Sequence, residues 1–307
     1  MLPIGICHQT VNMRKALKKI LGNKGKSREY LFAGLSKEAE QKGPMIFCTG
    51  MGRSGTHFLA RLIGLSPNVQ AYHLDQIGNP TADSYYQFCK WNNINIDMNP
   101  FFKSRIFLAN ETYNNNKIYF ESNPYLNLSV KDLAENFNCK ILIIYRDPIK
   151  VVESHYNKGW YEKYNPSLSK GCHPGYHYEI EKPHHFFGRF FPKTHNELEK
   201  WNQLTQIGKI SWMWKQVYSS ILKVVNEKNN IKLIRTESIN YLNYRKLCDL
   251  LNTNSVNEKD FLNLLETKPG KSIYKKKPEW NDFEIEEFNN HTSYILQKLE
   301  ENKHNLF

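Results

Sequence analysis

Gly50-Met51-Gly52-Arg53-Ser54-Gly55-Thr56-His57 is the stretch of this 307-residue chain whose residue types and spacing point most directly to chemistry. It follows the short apolar run Met45-Ile46-Phe47-Cys48-Thr49 and leads into Phe58-Leu59-Ala60-Arg61-Leu62-Ile63. That order reads as a strand, a small-residue turn and a helix. Such a turn lets backbone N–H groups at a helix N-terminus wrap a phosphate or a similar anion. The spacing satisfies the GxxxxG half of a nucleoside triphosphatase loop, but Thr56 and His57 stand where that loop needs Lys followed by Ser or Thr. An anion cradle is expected, without the lysine and the magnesium-binding hydroxyl of ATP chemistry.

A second unit of the same kind lies downstream. Lys140-Ile141-Leu142-Ile143-Ile144-Tyr145 reads as a strand and Arg146-Asp147-Pro148 as its end. A helical pattern then runs from Ile149 to about Trp160, with Pro148 at the start, where a helix tolerates it. Arg53-Ser54-Gly55-Thr56 before a helix, followed by a strand-end arginine with a serine eight residues on, resembles the 3′-phosphoadenosine 5′-phosphosulfate (PAPS)-dependent sulfotransferases. In loop type the chain is most similar to the carbohydrate and tyrosylprotein members. Leu233-Ile234-Arg235-Thr236-Glu237, Thr267-Lys268-Pro269-Gly270-Lys271 and Ser66-Pro67-Asn68-Val69 extend the resemblance more weakly, so that it covers about Met45 to Trp280.

The resemblance implies that Gly52, Arg53, Ser54, Gly55, Thr56 and His57 hold the 5′-phosphosulfate and that Arg146 and Ser154 grip the 3′-phosphate. It also implies that Phe58 packs on adenine and that Lys268 or Lys271 closes over the nucleotide. Two strand-end arginines suit a donor carrying several negative charges, because guanidinium makes directed, bidentate contacts to phosphate and sulfate. Arg53 is the expected cation at the departing phosphate oxygen. The acceptor, a hydroxyl or an amine, must lose a proton, so a general base is expected. In the tyrosylprotein and glycosaminoglycan members that base is a Glu shortly after the first helix, and here the matching position is Leu74. The candidates are His73, whose ordinary pKa suits the task, then Glu121 in Phe120-Glu121-Ser122-Asn123-Pro124, then Asp75. The resemblance points to a carbohydrate or glycolipid acceptor.

Three alternatives stay open. A P-loop phosphotransferase would use the same cradle and turn over ATP with magnesium. A protein that binds PAPS or its product without chemistry would need no base. Nucleic-acid binding would show strongly salt-dependent affinity. Basic residues spread along the whole chain weigh against that last reading, and no nucleic-acid partner is expected.

The elements that must position these residues alternate between strand and helix. Further strands are expected at Ile118-Tyr119-Phe120 and Ile231-Lys232-Leu233-Ile234, with helices over Val130–Phe137, Glu197–Asn226, Tyr244–Leu251 and Phe283–Leu299. That alternation predicts an α/β fold with a central parallel sheet flanked by helices, the nucleoside-kinase-like architecture of P-loop sulfotransferases. A basic leader over 1–42 and a single domain over 43–307 are expected. The Tyr-, His-, Pro- and Gly-rich stretch from Asn157 to Thr194 reads as an irregular insertion facing the acceptor.

Composition narrows the class. Lys and Arg number 42 against 30 Asp and Glu, a net charge of +12, which favours an anionic partner. The six cysteines form no CxxC pair and no regular spacing, so neither a zinc site nor a disulfide scaffold is expected. His173, His177, His184 and His185 lack neighbouring ligands at metal spacing, and no metal is expected. Trp201, Trp212 and Trp214 are expected in core or acceptor-domain packing, with no cofactor implied. No signal-peptide pattern and no run of 18 apolar residues occurs, which predicts a cytoplasmic protein without a transmembrane segment.

Overall fold

The computed structural model describes residues 40–74, 80–162, 183–225, 227–267 and 279–302. Five strands form one parallel sheet: β1 Met45–Thr49, β2 Val69–His73, β3 Ile118–Ser122, β4 Cys139–Tyr145 and β5 Ile231–Arg235, in the order β2-β3-β1-β4-β5. The fold class is therefore the expected one. The strands carry near-continuous apolar runs because both faces are covered. Period-two alternation divides them. Phe47, Ile141, Ile143, Tyr145 and Leu233 enter one core, and Ile46, Cys48, Leu142, Ile144 and Ile234 enter the other.

The first core packs against α8 (Gln206–Val225), which buries Ile210, Met213, Trp214, Val217, Tyr218 and Ile221. The C-terminal helix α11 (Asp282–Glu301) lies against α8 in turn. The second core packs against α1 (Thr56–Ile63), α9 (Tyr241–Leu251) and α10 (Glu258–Glu266). Because β1 and β4 are neighbours in register, Thr49 beside Ile143, the turns leaving their C-terminal ends emerge side by side. Ligands of open parallel sheets sit in the crevice outside those ends.

Several elements differ from expectation. The helix expected over Glu197–Asn226 is two, α7 (His195–Gln203) and α8, parted at Leu204 and Thr205. Thr205 Oγ1 accepts from Gly208 N at 3.1 Å, and this local bond starts a new helix. Strand β2 and the helices α2 (Pro80–Trp91) and α3 (Asn99–Asn114) are additional to those expected. The irregular insertion contains a helical turn, α6 (Pro183–Phe187), while 163–182 lie outside the described residues. The remaining helices are α4 (Val130–Asn136) and α5 (Pro148–Tyr156). Trp201 and Trp214 are fully buried, as expected. Among the described residues, no helix is long and apolar enough to cross a membrane.

Candidate active site

The turn after β1 has little freedom. A Cβ on Gly50 would meet the Ile144 carbonyl oxygen at 2.0 Å, so only glycine lets the chain pass so close to β4. Arg53 sits at φ 72° and Gly55 at φ 107°, both left-handed, and this reversal leads into α1 at Thr56. Backbone strain at a non-glycine residue persists where its surroundings hold it.

The surroundings here are specific. The Tyr218 hydroxyl on α8 donates to the Ile144 carbonyl at 3.0 Å, and so accepts from Ser54 Oγ at 2.9 Å and from Met51 N at 3.3 Å. Thr236 Oγ1, just past β5, donates to the carbonyls of Ser54 and Tyr145. Ser54 is wholly buried and acts as the anchor of the turn. Neither Tyr218 nor Thr236 was identified as a site residue from sequence, since nothing in local spacing links them to the turn.

The two arginines meet. Arg53 Nε donates to Ser154 Oγ at 2.7 Å, and Arg146 Nη1 donates to the Arg53 carbonyl at 3.3 Å. Glu237 lies 3.7 Å from Arg146 Nε and also faces Lys150 at 3.6 Å and Arg235 at 3.5 Å. Arg235 is itself paired with Glu300 of α11 at 2.9 Å. Gly52, Arg53, Gly55, Thr56, His57, Phe58, His73 and Arg146 line one cleft of about 580 Å³. Ser154 lies behind Arg53, buried. Lys158, His155, His184 and His185 also line the cleft, and none of its described lining residues is Asp or Glu. Positive potential therefore dominates it.

His73 ends β2 beside Ser122 of β3. Its Nδ1 lies 2.7 Å from the Ser122 carbonyl, which only accepts, so Nδ1 carries the proton and Nε2 the lone pair. The His57 ring stacks on it at 5.0 Å. Partial desolvation, with the Arg61 and Arg53 guanidinium groups nearby, lowers the His57 pKa. His155, fully buried with Nδ1 2.9 Å from the Val151 carbonyl, is pushed down to about 3, chiefly by burial and further by Arg53, Lys158 and Arg189.

Glu121 is not brought into the cleft. It is completely buried; Oε1 accepts from Arg105 Nη2 at 2.7 Å and from Asn123 Nδ2 at 3.1 Å, and Oε2 accepts from Tyr119 Oη at 2.8 Å. Burial pushes its pKa up and the Arg105 guanidinium opposes that rise. A carboxylate clamped by three donors in the interior has no path to an acceptor proton, which corrects its expected placement as a base. Asp75, Lys268 and Lys271 lie outside the described residues.

A parallel sheet with a glycine-bounded turn at the end of β1 and two arginines meeting beside it has the form of a phosphate-loop fold. The sulfotransferase-domain family model matches residues 44–240, which span all five strands and both arginine turns, and the chain belongs to that family. No curated protein matches the chain.

Proposed function

We propose that this sulfotransferase takes its sulfonyl group from PAPS and transfers it to a hydroxyl of a carbohydrate or glycolipid. The observation that carries the donor reading is the meeting of Arg53 and Arg146 at one cleft whose described lining holds no carboxylate, with Ser154 hydrogen-bonded to Arg53 from behind. The tight turn also supports the reading: a side chain at Gly50 would strike the Ile144 carbonyl and one at Gly55 would press on Thr236, so glycine at both positions keeps the turn seated beside β4.

PAPS supplies the activated sulfonyl group. Arg146 and Ser154 bind its 3′-phosphate, and the turn at 52–57 binds its 5′-phosphosulfate. Arg53 stabilises the charge left on the 5′-phosphate oxygen, an electrostatic role in which arginine stays protonated throughout. The acceptor oxygen bonds to sulfur as the sulfur–oxygen bond to the 5′-phosphate breaks, and the electron pair stays on that phosphate oxygen. The acceptor proton passes to His73 Nε2, the nitrogen left basic by the bond from Nδ1 to Ser122.

Calorimetric titration tests the donor. Micromolar binding of 3′-phosphoadenosine 5′-phosphate, with far weaker binding of AMP and of ATP with magnesium, is expected; preference for ATP returns the turn to phosphoryl transfer. His73→Gln is expected to abolish PAPS-dependent turnover while leaving product-nucleotide binding intact, and full activity in that variant removes His73 from the base role.

A further inference from the structure

The buried ion cluster around Glu121 takes no part in the chemistry above, and it leads to the other wall of the cleft. Arg105 Nη2 lies 3.1 Å from Asp83 of α2 as well as 2.7 Å from Glu121 of β3. Asn123 Nδ2 donates to Asp83 at 2.8 Å, while its Oδ1 accepts from Tyr125 N at 2.9 Å and caps the 3₁₀ turn Pro124–Ser129. α2 packs against this turn and against α6, which carries His184. The His184 and Tyr125 rings lie 6.2 Å apart. Tyr125 and His184 both line the cleft.

Gln87 stands one helical turn beyond Asp83 on the same face of α2. It too lines the cleft and is only 1% exposed, yet its Oε1 is buried without a hydrogen-bond partner among the described residues. A buried amide left unpaired is costly, and it is retained where a ligand completes it.

We propose that Gln87 reads the acceptor: its amide hydrogen-bonds a hydroxyl next to the one sulfonated, on a pyranoside lying along the wall formed by Gln87, Tyr125 and His184. This rests on the sulfotransferase reading of the cleft. A primary amide offers one acceptor and one donor group, the pattern that vicinal sugar hydroxyls match, since each both donates and accepts. The aromatic and imidazole rings suit the C–H face of a sugar ring, and a cationic amine meets no carboxylate among the described lining residues. The Asp83–Arg105–Glu121 cluster fixes α2 to the turn bearing Tyr125, so the contacts are held in place before the acceptor arrives.

The test uses the full chain saturated with 3′-phosphoadenosine 5′-phosphate, with ligand-observed NMR and calorimetry as readouts. The probes are methyl β-glycosides of galactose, glucose and N-acetylglucosamine, with phenol and benzylamine as controls. Wild type is expected to bind at least one glycoside in preference to both controls. Gln87→Met, which keeps the shape but removes both hydrogen-bonding groups, should bind it about tenfold more weakly. Its nucleotide affinity should be unchanged and its melting temperature unchanged or higher. Equal glycoside affinity in the two proteins, or a lower melting temperature in the variant, overturns the role of Gln87. Failure of every glycoside, or preference for phenol or benzylamine, overturns the sugar class. Failure of wild type to bind the nucleotide strikes the donor reading instead and is read separately.

Discussion

Two arginine sites in this molecule carry opposite charge balances. Arg105 is 1% exposed and faces two carboxylates, Asp83 and Glu121, with Tyr119 and Asn123 donating to the same group. Arg53 and Arg146 are half-buried at a cleft that adds Lys158 and has no carboxylate among its described lining residues; Glu237 beside Arg146 is shared with Lys150 and Arg235. In the first site negative charge is supplied from within, so the arginine serves the fold. In the second, positive charge is in excess, and the proposed anionic donor would balance it.

The strongest way to break the contrast is to remove Arg105. Arg105→Met leaves Asp83 and Glu121 facing each other in the interior, and removing one member of a buried ion cluster costs about 3–5 kcal/mol. Urea unfolding should show a loss of that size; a loss below about 1 kcal/mol would mean that the cluster is not what holds α2 and α3 to β3. At the cleft the expected loss is of function. Arg53→Ala is expected to lower turnover by about 10²–10³, the effect of removing one preorganised group that stabilises developing charge. Arg53→Lys should recover part of it, because a point cation replaces the charge but not the fork. Arg146→Ala is expected to weaken product-nucleotide binding by about ten- to a hundredfold, the range for a hydrogen bond to a charged group. Unchanged binding in that variant sinks the 3′-phosphate assignment. Neither cleft variant should lower unfolding stability as Arg105→Met does.

His155 sharpens the comparison through pH. Burial and the cationic surroundings that suit an anion hold its folded pKa near 3, against 6.5 in the unfolded chain. The unfolded chain therefore takes up the proton first as pH falls. The contribution of neutral His155 is intact above about pH 6.5 and is lost progressively between 6.5 and 3. By pH 5 the loss amounts to about 2 kcal/mol. Unfolding free energies measured from pH 7 to pH 5 should fall more steeply in wild type than in His155→Gln. Parallel slopes would show that His155 is free to take a proton in the folded state.

The two regions were not equally legible in the sequence. β1, β4 and β5 announce themselves as short, mainly apolar runs, and the arginine turns follow β1 and β4 directly, so the elements that bring Arg53 and Arg146 together could be read along the chain. Strand β2 is an edge strand with Gln70 exposed, and its five residues carry too little apolar signal to mark a strand, so the element that positions His73 was not among those expected. In α2 and α3 the inward positions include Asp83, Gln87, Arg105 and Thr112, polar groups that break the apolar periodicity of a buried face, and Asp83 meets Arg105 only when the two helices pack. Glu121 resembled a base for the same reason: its neutralising partner lies sixteen residues away on another element. Tyr218 was invisible because its link to Ser54 spans 164 residues.

Ser154 offers the smallest and most discriminating effect. Its hydroxyl accepts from Arg53 Nε at 2.7 Å, while the resemblance pairs it with Arg146, eight residues earlier. If it mainly grips the 3′-phosphate, Ser154→Ala weakens product-nucleotide binding by about two- to tenfold, the worth of one neutral hydrogen bond, and leaves saturated turnover unchanged. If instead it chiefly orients Arg53, the same substitution lowers kcat and spares binding. The first pattern is the expected one, because Arg53 is also held by its left-handed backbone and by the Arg146 bond to its carbonyl. Binding and kcat measured on this single variant decide whether the cleft has two independent arginine contacts or one coupled pair.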